Sequence, residues 1–276
     1  MKKYMFNTKT ALTALLLFIA CTGNAQRREL LLKQGDEYNK TTYISAASVL
    51  QRGNQTFNIN TRSSISKHYK VTGVTETGFI LTVTTKQITD TLDAFNKKLE
   101  YDSDKTADSS SYIQMALQSL IGKSVTLTID KNGIITDVND PDERYANDTL
   151  LLFAGFKQDQ FTRGSRLDLV SDNSAALKTG TSWTSNLSPG NEKVNTTYTV
   201  QQSAEPDKYT NLMLTSTSSS TEQNSNVNGV LVVDNFSGVV LVTSLKTTTL
   251  SYKSVNDVTY SLNRRTEVLE NCTKIN

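Results

Sequence analysis

One histidine, His68, and two cysteines, Cys21 and Cys272, are the only imidazole and thiol groups that this 276-residue chain offers for metal ligation or nucleophilic chemistry. A serine or cysteine nucleophile needs a base beside it. His68 stands in the polar run Ser66-Lys67-His68-Tyr69 and reads as a histidine on a strand surface. Two cysteines make neither a thiolate zinc site nor a disulfide framework, and one histidine makes no multi-histidine cluster. Cys272, near the C-terminus, reads as an unreactive thiol or as one half of an intermolecular disulfide. No Gly-x-Ser-x-Gly elbow is present; Phe236-Ser237-Gly238 falls in an expected hairpin turn. Gly-rich phosphate loops are absent as well. Acids cluster at Asp102/Asp104/Asp108 and at Asp140/Asp142/Glu143. Such groups suit a glycosidase or a calcium ion, but neither has the order of a calcium loop, and both read as caps and acid-rich turns. Asp130-Lys131-Asn132-Gly133 is too short between acid and glycine for that loop. No catalytic, cofactor-binding or metal residue is assigned, and the expectation is a protein without cofactor that is not an enzyme.

The elements that would position any site begin after an export signal. Lys2, Lys3 and Lys9 precede an apolar run from Ala11 to Ala20, and a short polar stretch follows. The run is too short to span a bilayer, which takes about 20 residues, and the layout is that of a secretory signal. Gly23 and Ala25 put small side chains at −3 and −1, so cleavage is expected between Ala25 and Gln26. A rival is lipidation of Cys21, which follows Phe18-Ile19-Ala20. The expected location is exported, periplasmic or outer-membrane associated in a Gram-negative bacterium, with no transmembrane span after cleavage. The formal charge of +2 belongs to the signal. Removing three lysines leaves 26 basic against 27 acidic residues, a net of −1. The basic pairs Arg27-Arg28 and Arg264-Arg265 fall short of a nucleic-acid stripe.

The rest of the chain alternates polar and apolar residues with period two and is rich in β-branched threonine, which suits half-exposed strands. Phe79 to Thr85, Ser124 to Ile129 and Ile134 to Val138 read as strands, with a hairpin turn at Asp130-Lys131-Asn132-Gly133. Further strands are expected at Thr197–Gln201, Leu212–Thr217, Val230–Val233, Val239–Ser244, Thr248–Tyr252 and Val258–Leu262, with a loop after about Glu222. Asp108-Ser109-Ser110-Ser111 can cap an amphipathic helix from about Tyr112 to Ile121, and Asp140-Pro141-Asp142-Glu143 starts a second helix running to about Phe153. The stretch from Phe156 to Ala176 reads as a partly helical connector.

A repeat organises these elements. Leu32-Lys33-x-Gly35-x-x-Tyr38 matches Leu177-Lys178-x-Gly180-x-x-Trp183. Each is followed by Tyr-x-Val (Tyr69/Val71, Tyr198/Val200), a Thr-rich strand, and a turn from Asp to Gly and two aliphatics. These last are Asp130 to Ile135 and Asp234 to Val240. The expected fold is mainly β with some α (α+β): two related antiparallel curved sheets or half-barrels with two or three short helices at their junction. The expected boundaries are a signal peptide at 1–25, a first β half at 26–140 with its inserted helix at 112–121, a helical connector at 141–176, and a second β half at 177–276.

The segment Leu120-Ile121-Gly122-Lys123-Ser124-Val125-Thr126-Leu127-Thr128-Ile129-Asp130-Lys131-Asn132-Gly133, with Leu177, Lys178, Gly180 and Trp183, resembles a secreted Gram-negative bacterial family catalogued as a domain of unknown function. The chain departs from it at Asn139-Asp140, where the family commonly has a Gly-containing turn. That resemblance implies export and a mainly β fold, and no activity. At fold level the pattern is also similar to periplasmic lipoprotein carriers, in which an unclosed barrel holds an acyl chain. Asp90-Thr91-Leu92 and Asp148-Thr149-Leu150 resemble a periplasmic O-glycosylation pattern. The expected function is a cell-envelope interaction or structural module. The alternative is a binder or carrier of an apolar or lipid-like ligand in a concave β surface. The expected partner is an envelope protein or an apolar ligand, not nucleic acid.

Overall fold

The structure, a computed structural model, describes residues 30–140, 161–170, 178–187, 193–255 and 258–276. Twelve strands are described: β1 Glu37–Arg52, β2 Gln55–Val74, β3 Gly78–Ala94, β4 Lys97–Asp102, β5 Ser124–Asp130, β6 Ile135–Asn139, β7 Ser182–Leu187, β8 Lys193–Gln201, β9 Tyr209–Ser219, β10 Gln223–Asp234, β11 Val240–Val255 and β12 Val258–Lys274. The one described helix, α1, spans Tyr112–Gln118, with Ser111 capping its N-terminus through Gln114 N–H.

All twelve strands form a single antiparallel sheet in the order β6-β5-β3-β2-β1-β12-β11-β10-β9-β8-β7. β4 shares the far edge of β3, pairing along Thr89–Ala94 where β5 pairs along Gly78–Thr84. Alternation is plain in β12, where every second residue from Val258 to Cys272 turns to the protected face. We call that face, which carries all the buried clusters, the inner face.

Main-chain bonds show that the sheet is curled. Leu30 N–H donates to Lys131 O (2.8 Å), in the β5–β6 turn. Its neighbour Leu31 N–H donates to Ser237 O (2.9 Å), in the β10–β11 turn. One residue spans at most ~3.6 Å, so the two carbonyls lie within ~9 Å. On a flat sheet those turns would stand at least five strand spacings apart, ~24 Å. The sheet therefore rolls up at this end, and the inner face is concave. A strap of residues 161–170 runs through the pinch. Leu167 N–H bonds Gly133 O, Ile135 N–H bonds Ser165 O, and Val240 N–H bonds Leu169 O, each at 2.8 Å. Leu167, Leu169 and Val170 join Tyr38, Tyr69, Val71, Leu81, Leu127 and Ile129 in the main core. Gly133 has φ +76°, and a Cβ there would meet the Val170 side chain at 2.7 Å.

The repeated motifs make equivalent turns. Gly35 N–H bonds Val71 O and Val71 N–H bonds Asp36 O; Gly180 N–H bonds Val200 O and Val200 N–H bonds Thr181 O, all at 2.9 Å. The strand order β6-β5-β3-β2-β1 recurs as β11-β10-β9-β8-β7, with β12 between the two sets.

Several expectations are corrected. The halves are not two sheets. β12 pairs with β1 on one side and β11 on the other along almost its whole length, leaving no gap for a second layer. The α+β class gives way to a nearly all-β one, and the described helix is shorter than 112–121. It does not lie at the junction of the halves: Leu117 and Leu120 pack on Ile65, Ile88 and Tyr101 within the first half. Residues 161–170, expected in a helical connector, are extended and turned, because their amides pair with strand ends. Beyond Glu222 the chain is not a loop but β10, whose Asn and Ser residues pair with the strands on either side. The second expected helix lies outside the described residues.

Candidate functional site

Register fixes what the concave face presents. One row runs Ile44–Val268–Leu245–Gly229–Leu214–Tyr198–Trp183 across β1, β12, β11, β10, β9, β8 and β7. These are apolar or aromatic apart from the glycine, and all are half-buried. Trp183 stacks on Tyr198 with ring centroids 5.2 Å apart. At Gly229 a Cβ would collide with the Ser244 carbonyl oxygen and the Leu245 side chain, so its absence lets the β11 backbone and Leu245 approach β10 closely. The next row outward is Ala46–Thr266–Thr247–Val227–Ser216–Thr196, and the next Ser48–Arg264–Thr249–Ser225–Ser218. Hydroxyls in these rows bond one another, Thr196 with Ser216 at 2.8 Å and Ser225 with Thr249 at 3.0 Å. The concave face of the second half is thus amphipathic: an apolar row, then hydroxyls, then one cation.

That cation is unsupported. Arg264 is half-buried, its Nε is shielded from solvent, and Nε makes no hydrogen bond. Burial pushes the guanidinium pKa below its ordinary value. Among the described residues no ion pair to it is found. Four further buried polar side-chain atoms on this face lack hydrogen-bond partners, Tyr38 OH, Thr61 Oγ1, Asp90 Oδ2 and Trp183 Nε1. Asp90 is 2% exposed, its other oxygen accepts the Ser63 hydroxyl at 2.5 Å, and burial raises its pKa to about 6.

The closed end holds a different polar group. Lys40, 3% exposed, pairs with Asp168 Oδ2 at 2.5 Å and with Glu270 Oε2 at 3.1 Å. Tyr69 OH donates to Asp168 at 3.2 Å, and Thr42 Oγ1 to Glu270 at 3.2 Å. This network ties the strap to the sheet. Cys272 sits beside it, buried, and desolvation pushes its thiol pKa up to about 12, which leaves it a protonated, unreactive group.

The convex face carries a groove of about 600 Å3 across β3, β2, β1, β12 and β11. Tyr43, Leu269, Arg62, Thr91, Lys246 and Glu267 line it, and Lys246 pairs with Glu267 at 3.2 Å.

The residues singled out by sequence do not converge. His68 lies on the convex face, 3.2 Å from Glu37, which also binds Lys70 at 2.8 Å. Asp102 and Asp108 accept the N–H groups of Asp104 and Ser110, as turn residues do. Asp130 accepts from Asn132 and Ile134 N–H, and Ser237 sits in the Asp234 turn. Thr91 faces the convex groove while Asp90 is buried on the other side. Among the described residues no group of three or more His, Cys, Asp or Glu is arranged to hold a metal. Ala25, Gln26 and Cys21, with Asp142, Glu143 and Asp148, lie outside the described residues. Sequence reasoning missed Arg264, Gly229 and the Lys40–Asp168 pair. The first was within reach: Arg264 shares its alternation phase with Val268 and Leu262, so it was an arginine at an inward position.

A family model described as "Family of unknown function (DUF6263)" matches residues 76–163. The match includes the Ser124–Val138 hairpin and stops short of Leu177–Trp183, so the resemblance to a family without assigned activity holds for the central part of the chain. No curated protein matches. Among solved structures the chain is similar to lipovitellin (from a study of its lipid–protein interactions), at 14% identity and a TM-score of 0.48, covering 88% of this chain. It spans only 26% of the lipovitellin chain. It is also similar to the translocator domain of the autotransporter NalP from Neisseria meningitidis (10% identity, TM-score 0.22, 95% of this chain and 97% of that one). An outer membrane channel from Pseudomonas putida F1 gives 8%, 0.21, 91% and 98%. At these scores the likenesses carry no functional argument.

Proposed function

We propose that the protein is a non-enzymatic, exported binding protein of the cell envelope whose concave face holds an amphipathic, acyl-type ligand. The observation that carries this reading is the half-buried row Ile44–Val268–Leu245–Leu214–Tyr198–Trp183 inside the curl. Ligand sites are concave and mostly apolar with a few placed polar groups, and the hydroxyl rows beside this one supply such groups. The signal read at Met1–Gln26 supports the envelope location. The test is native mass spectrometry of protein purified without detergent, followed by solvent extraction. A co-purified amphiphile is expected, and it should be lost in Leu245→Glu. A wild-type protein that neither retains nor takes up any amphiphile sinks the proposal.

The second reading is an envelope interaction module. It is favoured by a stripe of exposed side chains on the convex face, Tyr43, Leu269, Val230 and Met213, each 42–49% exposed. Ser244 links them in one cross-strand row over five strands. Pull-down from envelope fractions with wild type and Leu269→Lys tests it; a partner retained equally by both counts against this surface.

A further inference from the structure

We infer that Arg264 is the head-group receptor of the concave face, so that the ligand is an amphiphile with an anionic head, a carboxylate or a phosphate. The inference rests on the trough reading above and narrows it to one class of ligand. Arg264 stands at the middle of β12, flanked in its row by Ser48 on β1 and Thr249 on β11. Neither neighbour carries charge. The acids of the concave face that the structure describes are engaged elsewhere. Glu270 is bound to Lys40, and Asp168 to Lys40 and Tyr69. Asp90 is held by Ser63 and favours its protonated form until the pH passes about 6. A guanidinium stays charged, presents a planar fork of donors and matches carboxylate or phosphate with two parallel bonds. Leaving such a group part-buried with an unused Nε is costly, and an anion arriving from solution removes that cost.

Placement adds the second half of the argument. Four residues of extended strand separate Arg264 from Val268 in the apolar row, ~13 Å along β12. An acyl chain lying on Val268, Leu245 and Leu214 with its head at Arg264 crosses the hydroxyl row Thr266–Thr247–Ser216 on the way. Charge and apolar surface then fall in the order that an anionic amphiphile presents them. A neutral amphiphile would leave the guanidinium unpaired.

The protein's single tryptophan, Trp183, ends the apolar row and so reports on ligand there. Trp183 fluorescence would be titrated with a long-chain fatty acid and with the fatty alcohol of the same length, in wild type, Arg264→Gln and Arg264→Lys. Wild type should prefer the acid by roughly 10- to 100-fold, the usual scale for a charge-assisted pair. Arg264→Gln should lose that preference and keep its affinity for the alcohol, and Arg264→Lys should keep part of it. Equal binding of acid and alcohol by wild type, or an undiminished preference in Arg264→Gln, overturns the role of Arg264 while leaving the trough reading standing. Binding of neither probe to wild type overturns both. Acetate and inorganic phosphate form the last arm. Saturation by either at the fatty acid's own concentration range means a free-anion site and overturns the head-group assignment; no saturation below the millimolar range is expected.

Discussion

The two halves of the sheet use the same turns and strand order and put them to different ends. In the first half, the concave face is filled. Tyr69, Val71, Leu81, Ile88 and Leu127 are fully buried under the strap and α1. In the second half, Tyr198, Leu214 and Leu245, with Val268 of the intervening β12, are only half-buried. The difference traces to two additions, the strap over Tyr69, Val71, Leu81 and Leu127 and an insertion over Ile88. Between β3 and β5 the first half carries β4 and α1, whereas β9 passes to β10 through a tight hairpin, Ser219 facing Asn224. One curled sheet thus contains a dry core and an amphipathic surface, and the copy without the inserted helix keeps the surface.

The strongest way to break this contrast is at the closed end. Lys40→Ala leaves Asp168 and Glu270 without their buried cation, and we expect a loss of ~3–5 kcal/mol in denaturant unfolding. A loss under ~1 kcal/mol would mean that the strap is not anchored through this pair.

Asp90 gives the next effect, and its sign is set by the raised pKa. A carboxyl that titrates at about 6 in the folded chain and at 3.8 when unfolded binds its proton more tightly in the native state. Its contribution is fully present below pH 4 and is lost as the pH rises to 6, by up to ~3 kcal/mol. Stability measured between pH 4 and 7 should fall, and Asp90→Asn should flatten that fall and be the more stable protein at pH 7. A wild-type profile that rises across this range refutes the assignment.

Turn glycines sharpen the comparison further. Gly133→Ala meets both a positive φ and the Val170 side chain, so ~2–3 kcal/mol is expected. Gly180→Ala, with φ +86° and open space around it, should cost ~1 kcal/mol. Equal melting-temperature shifts for the two would remove the packed strap from the account.

Much of this fold is legible from period-two alternation, and the two LysxGly turns and the Asp-to-Gly turns stand where the repeat puts them. Alternation assigns residues to faces, but it does not say which strand lies beside which. That is why the strand expected at Val258–Leu262 could be read but its pairing with β1, which joins the halves, could not, and two sheets are expected instead of one. The hydroxyl-rich span of β10 looked like a loop because Asn and Ser are poor strand formers alone; cross-strand hydroxyl pairs such as Ser225–Thr249 supply what propensity lacks. The site was harder still. A lone inward arginine in a polar neighbourhood has no motif, and its lack of a partner is a property of three strands together.

The smallest stability change is the most informative, because its sign separates a structural arginine from a receptive one. If Arg264 served the fold, Arg264→Met would remove a supporting interaction and destabilise the protein. Its Nε has no hydrogen bond, no described acid pairs with it, and its surroundings depress its pKa through desolvation alone. Replacing a part-buried, unpaired charge by an apolar chain of similar length removes a desolvation cost and keeps the packing of the stem. We therefore expect Arg264→Met to be neutral or up to ~1 kcal/mol more stable in urea unfolding of the ligand-free protein. With a saturating anionic amphiphile the order should reverse, since only wild type gains the ligand's binding free energy in full. A residue kept at a small cost to the empty protein and repaid by ligand is what separates the open half from the filled one.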